Sequence, residues 1–195
     1  MRSGAPHNHN NRRGFSLIEM TLVIALVGMA ALAALPTLSA SRAPRLELAA
    51  ARIATALRFA RDAAVRSGQP HGVLFDPLGQ VAEGREVTVY RVTGEASPFG
   101  RALDVTDPLT GQPYAFDLSG TAPARDLRLD TTSAPFRFRG LGSPQWELHF
   151  LPTGAAAWLQ DGAPRLLEGA ALVVTDGVAR RTIGVLPVSG RVVVQ

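Results

Sequence analysis

The chain has 195 residues, a formal net charge of +4, no cysteine and, among its 20 basic residues, no lysine. That length suits one domain of ordinary size with a terminal extension, and the lack of cysteine excludes disulfides and thiolate metal sites. Arg2, Arg12 and Arg13 precede residue 14 and no acid does, so the remainder sets 17 arginines against 16 acids; a body so nearly neutral lacks the basic surplus of a nucleic-acid-binding domain.

From Phe15 to Leu35 there are 21 residues whose only strongly polar member is Glu19. As a helix they reach about 31 Å, enough to cross a bilayer. The arginines ahead of them place the N-terminus in the cytoplasm and the C-terminus across the membrane. A plain signal anchor accounts for the span but not for the carboxylate. A cleaved secretory signal has an apolar core of only ~7–15 residues, and a charge at the centre of the bilayer costs about 2.5–3.5 kcal/mol, less near its edge. Glu19 therefore calls for a partner of opposite sign.

The order Arg12, Arg13, Gly14, Phe15, Ser16, Leu17, Ile18, Glu19 resembles the class III signal of type IV pilins and type II secretion pseudopilins. The resemblance implies that a prepilin peptidase cuts between Gly14 and Phe15 on the cytoplasmic side and methylates the new N-terminal Phe15. Glu19 then becomes the fifth residue of the mature chain. Its implied role is an assembly salt bridge to the α-ammonium of a neighbouring subunit's Phe15, formed as helices stack into a filament. Pairing the two charges in a low-dielectric bundle makes physical sense of a carboxylate at that depth. Residues 1–14 are then a cleaved leader and 15–35 a transmembrane and assembly helix. Pro36 falls where many family members carry a helix-bending proline.

Helix is expected to resume after a Pro-containing break at "PTLSASRAP", giving an amphipathic continuation over 36–68. Leu46, Ala50, Ile53, Leu57, Ala60 and Ala64 recur at spacings of four and three, one apolar stripe along a helix. Arg52, Arg58, Arg61 and Arg66 lie off the stripe and read as a solvated face, with Asp62 and Arg66 a favourable i,i+4 pair. Gly68 and Pro70 supply the stop.

Residues 69–195 read as a β-rich domain. "GVLF", "EVTVYRV", "PFRFR", "WELHFL", "AAAWL", "ALVVT", "ARRTIGVLPV" and "RVVV" are strands by composition, several with period-2 alternation. Asp176-Gly177 predicts a type I′ hairpin turn. The stretch 94–134, rich in Gly, Pro, Asp and Thr, reads as a long loop with one strand near "DLRLD". The fold class is α+β and pilin-like: a long N-terminal helix, its first half transmembrane, packed on an antiparallel sheet or sandwich.

Further segments narrow the resemblance. "LRFARDAAVRSGQPHGVLFD" is similar to the helix end and first strand of GspH/FimT-type minor pseudopilins, where Ala-Arg-x-x-Ala precedes a glycine and an apolar strand. "FLPTGAA" and "VSGRVVV" resemble late strands of that branch. FimT-type members carry a C-terminal Gly-Arg-x-Arg element associated with DNA binding; here Gly190 and Arg191 match, but Val193 stands at the second arginine position.

For chemistry, the chain after the leader has two histidines, His71 and His149, each in a predicted strand, and neither a Gly-x-Ser-x-Gly elbow nor a phosphate loop. "GLGSP" at 140–144 and "DTTS" at 130–133 read as turn and loop. Asp104, Asp107, Asp117, Asp126 and Asp130 match no EF-hand spacing; calcium in this loop stays open by analogy with major pseudopilins. Trp146 and Trp158 read as core or sheet-surface residues. No catalytic residue, cofactor or metal ligand is assigned. The expectation is a non-enzymatic minor pseudopilin of a type II secretion system, near the tip of a periplasmic pseudopilus that drives export across the outer membrane. It would be a single-pass inner-membrane protein with a cytoplasmic N-terminus and a periplasmic domain. Its partners would be the prepilin peptidase, other major and minor pseudopilins and the inner-membrane assembly platform, with DNA not expected among them. A FimT/FimU-like minor pilin of a type IV pilus and a membrane-anchored periplasmic enzyme are the alternatives.

Overall fold

The computed structural model describes residues 16–40, 42–79, 86–94, 100–118, 127–160 and 163–195, with side chains left aside at 31–43 and 160. The chain divides into two units, one ending at Ser41 and one running from Arg42 to Gln195.

The first unit is a helix, α1 (Leu17–Ala40). It opens where the Ser16 carbonyl accepts the N–H groups of Glu19 (3.0 Å) and Met20 (3.2 Å). Every described side chain from Leu17 to Ala30 is exposed, with Leu17 at 83% and Ile24 at 70%. Among the described residues no helix is long and apolar enough to cross a membrane. The helix runs through Pro36 to Ala40 and a second helix starts at Arg42; within the stretch "PTLSASRAP", where a break is expected, Ser41 lies outside the described residues. Pro44 sits in the first turn of the second helix, where a missing N–H forfeits no helical hydrogen bond.

The second unit begins with that helix, α2 (Arg42–Ser67). Its expected stripe is its buried face: Leu46, Ala50, Ile53, Leu57, Ala60 and Ala64 are each at most 1% exposed, and Ala49, Ala54 and Ala56 widen the face. Gly68, at φ +67°, donates its N–H to the Ala64 carbonyl (3.1 Å) and ends the helix in the left-handed conformation that suits glycine.

Twelve strands follow among the described residues. They are β1 (His71–Phe75), β2 (Val87–Thr93), β3 (Gly100–Ala102), β4 (Ala115–Phe116), β5 (Arg128–Leu129), β6 (Phe136–Phe138), β7 (Glu147–Phe150), β8 (Ala156–Gln160), β9 (Ala163–Ala170), β10 (Leu172–Thr175), β11 (Arg180–Val185) and β12 (Val192–Val194). The larger sheet is ordered β3-β2-β1-β7-β8-β9-β6, with β4 also on β2; the smaller is β12-β11-β10-β5; all pairs are antiparallel. Period-2 alternation divides the larger sheet's faces. Val73, Phe75, Val87, Val89, Leu148 and Phe150 join α2 and the inner residues of the smaller sheet in one core, while Leu74, Tyr90 and Val92 form a second cluster behind. Trp146 and Trp158 pack against the main core, as expected.

Three differences from the expected strands have physical causes. The segment 94–134 is more than a loop, because β3 and β4 both add to the outer edge of β2 and a Thr106–Pro113 bridge closes the excursion between them. β9 was not foreseen: four of its first five residues being exposed blurs its alternation, and Pro164 and Gly169 read as breakers. The β10–β11 hairpin exists, but its register makes Gly177-Val178 the two-residue loop, with Asp176 facing Ala179. Gly177, at φ +87°, takes the first central position, and the Asp176 carboxylate accepts the N–H groups of Val178 (2.9 Å) and Ala179 (2.7 Å).

Candidate functional site

Gly14 and Phe15 lie outside the described residues. Glu19 lies in the first turn of α1, where a carboxylate favours the positive end of the helix dipole. It is exposed and has no charged partner among the described residues, while Leu17, Ile18, Met20 and Leu22 around it are exposed and apolar.

The three later segments that carried the narrower resemblance meet in space. Arg61, from the Ala-Arg-x-x-Ala helix end, donates from Nε to the Ser189 carbonyl (2.9 Å). Gly154, from "FLPTGAA", lies beneath that guanidinium, since a Cβ there would be 3.3 Å from both Nε and Nη2. Gly190, at φ +62°, packs so closely that a Cβ would fall 2.1 Å from the Gly154 carbonyl oxygen and 3.2 Å from the Phe150 ring. Backbone bonds from Gly190 to the Leu186 carbonyl (2.8 Å) and from Ala156 to the Pro187 carbonyl (3.2 Å) close the turn. Gly190 is thus a packing residue, and Arg191 beside it is exposed. The arginines of α2 are not merely solvated either: Arg52 stacks over Phe116 at 4.0 Å, Arg58 donates to the Val192 carbonyl (3.4 Å), and Asp62 pairs with Arg61 (3.4 Å) instead of Arg66.

Behind the larger sheet sits a polar network that sequence reasoning missed. Arg101 on β3 reaches across to Glu147 on β7 with two hydrogen bonds, Nε to Oε1 and Nη2 to Oε2, each 2.9 Å. Tyr90 donates to the same Glu147 Oε1 and lies 2.7 Å from His149 Nε2. The Leu159 N–H donates to His149 Nδ1 (3.0 Å), so Nε2 carries the proton of the neutral ring. Gly72 makes the room, for a Cβ there would stand 2.3 Å from the Tyr90 ring end and 2.8 Å from His149. Burial alone would raise the Glu147 carboxyl, but hydrogen bonds from His149, Arg101 and Tyr90 outweigh it and hold it at about 2. Burial, then the Glu147 charge, pushes the Tyr90 phenol well above its usual range. His149 and Tyr90 are each fully buried and Arg101 reaches the surface at one end, so the network braces strands. A signal was present: Glu147 and His149 alternate with Leu148 and Phe150 along one strand.

Most of the remaining described candidates bond to the backbone. Among the loop aspartates, Asp107 accepts the Leu109 N–H (2.9 Å), Asp117 the Glu86 N–H (3.0 Å) and Asp130 the Thr132 N–H (3.0 Å), Asp104 pairs with Arg91, and Asp126 lies outside the described residues. No group of three acids or histidines among the described residues is placed for a metal. His71 Nδ1 lies 2.9 Å from the Gln69 carbonyl at the start of β1. A recess of about 500 Å³ near the ends of β5, β10 and β11 includes "DTTS" residues but balances Arg128 and Arg180 against Glu86 and Asp130.

An apolar helix with a lone carboxylate in its first turn, and a domain built of an amphipathic helix on antiparallel sheets, define the pilin-like class. Residues 9–35 match the prokaryotic N-terminal methylation motif, residues 49–188 match the family described as Type II transport protein GspH, and the chain belongs to that family. It is similar to the type II secretion system protein H of Xanthomonas campestris pv. campestris, 40% identical over 74 residues, which are 37% of this chain and 44% of that one. It is also similar to the protein of the same name from Escherichia coli K12, 44% identical over 68 residues, 34% of this chain and 40% of that one. The chain thus spans less than half the length of the curated relatives it matches. Among solved structures, the minor pseudopilin EpsH from the type 2 secretion system of Vibrio cholerae aligns at 18% identity and a TM-score of 0.45, covering 77% of this chain and 96% of that one.

Proposed function

We propose that the protein is a minor pseudopilin of a type II secretion system, processed between Gly14 and Phe15 and assembled near the tip of a periplasmic pseudopilus. The observation that carries this reading is the presence in one chain of the methylation motif over 9–35 and the GspH match over 49–188. On this reading residues 15–35 span the inner membrane, the N-terminus is cytoplasmic and the domain periplasmic. A prepilin peptidase removes residues 1–14 and methylates Phe15. Glu19 then meets a neighbouring subunit's Phe15 ammonium, other pseudopilins surround the chain, and the assembly platform receives it. The domain acts by packing and catalyses nothing.

The test is the intact mass of the protein extracted from membranes of cells that carry the peptidase. A chain beginning at methylated Phe15 is expected, and Gly14→Val should accumulate as precursor because the peptidase must fit the backbone before Phe15. A mature N-terminus elsewhere overturns the assignment. A type IV pilus role has less support, because Gly190 is consumed by packing and Val193 stands where the DNA-associated element has arginine.

A further inference from the structure

The chain passes from the larger sheet to the smaller between Gly169 and Leu172, from the end of β9 to the start of β10. Beside that crossing lies an open recess of about 440 Å³ whose lining includes Ala134, Pro135, Pro144, Gly169 and Ala170. Among its lining residues Arg137 alone is charged. The strand pairing aims that side chain. Arg137 stands opposite Gly169, and the register slips immediately afterwards, between Arg137 and Phe138, the kind of irregularity that redirects a side chain. The guanidinium lies on the glycine, since a Cβ there would be 3.5 Å from Nη2 and 3.8 Å from Nε. Among the described residues the fork has no hydrogen-bond or ion-pair partner, and the neighbouring Glu168 faces Arg139 instead, at 3.8 Å.

A planar fork of free donors suits a carboxylate held by two hydrogen bonds, and the alanines and prolines of the lining suit the apolar atoms beside such a group. A single cation matches a single negative charge and is a poor match for a polyphosphate backbone, which is held by several. We infer that this recess receives an acidic side chain flanked by apolar residues on another protein chain of the filament. The inference rests on the assembly role proposed above for the occupant, while the recess's preference for carboxylate can be measured without any other subunit.

The test uses the full chain, labelled with nitrogen-15, in zwitterionic detergent micelles. Three blocked tripeptides are titrated into it: acetyl-Leu-Glu-Leu-amide, its glutamine analogue, and acetyl-Ser-Glu-Ser-amide. The first is expected to move the Arg137 Nε–H signal and the amides of Gly169 and Ala170, and the other two to bind about tenfold more weakly, the usual scale of one lost charged hydrogen bond or of the lost apolar contact. Arg137→Gln, an exposed position whose variant should keep its melting temperature, is expected to abolish the response, and Arg137→Lys to weaken it by losing the fork. Equal binding of the glutamine peptide, equal binding of the serine peptide, or an unchanged response in Arg137→Gln overturns the site. In cells, a photoreactive residue at Ser133 should capture another pseudopilin in an Arg137-dependent way, and capture indifferent to Arg137→Gln overturns the occupant. Failure of the peptides leaves the family and the processing intact, whereas a wrong N-terminus in the mass measurement leaves the peptide result standing.

Discussion

Glu19 and Glu147 are both carboxylates with apolar neighbours in sequence, but Glu19 is exposed in the described chain whereas Glu147 is buried. Glu147 is satisfied inside the fold by Arg101 and Tyr90. Its folded value of about 2 against an ordinary 4.5 makes it a group that stabilises the fold above about pH 4.5 and loses that contribution as pH falls toward 2. Wild-type stability in urea should drop between pH 6 and pH 3 by about 2 kcal/mol more than that of Glu147→Gln, which has no such proton to take up; parallel pH profiles would remove the role. Glu19 is left unpaired in the described chain. Replacing it by Leu removes a charge from a segment proposed to lie in lipid, so membrane levels should hold or rise while incorporation into the filament fails. Crosslinking to other pseudopilins and secretion with the variant as sole copy measure this. A plain anchor would show neither defect.

At the scale of elements, the knot of Arg61, Gly154 and Gly190 ties the end of α2 to the β7–β8 and β11–β12 turns. Gly190→Ala places a methyl 2.1 Å from a backbone oxygen at a positive φ, so it should cost about 2–4 kcal/mol in unfolding experiments. Gly142→Ala, with open space around it, should stay within about 0.5 kcal/mol of wild type. How far these elements were legible depended on the range of the contacts that make them. The α2 stripe is local periodicity, and all six of its residues are buried. β1, β2 and β7 announce themselves by apolar runs and alternation. β3 and β4 are two or three residues long and exist because β2 offers its edge, which no local pattern records. The Arg61 contact joins positions 128 residues apart, so each motif was visible and their meeting was not. The N-terminal motif is legible because it is one continuous run, residues 9–35.

For the whole molecule, charge sets an expectation. Beyond residue 14, arginines exceed acids by one, and many of the arginines are engaged: Arg52 by a ring, Arg58 and Arg61 by carbonyls, Arg91, Arg101 and Arg181 by carboxylates. Duplex DNA should therefore bind weakly and without sequence preference at physiological salt. A gel shift at sub-micromolar protein that survives that salt, and is lost in Arg191→Ala, would move the assignment toward a pilus subunit. The way α2 meets the end of the chain has a further consequence for time. Glu47 pairs with Arg181 at 2.6 Å, and Arg58 with the carbonyl of Val192, each across 134 residues. The helix made early therefore meets β1 and β2 soon after it forms but its neighbours on the smaller sheet only when the last strand has been synthesised, and contacts so distant in sequence slow folding. Until then the part of its apolar stripe that faces the smaller sheet is uncovered, so the core closes only after the C-terminal strands have left the ribosome.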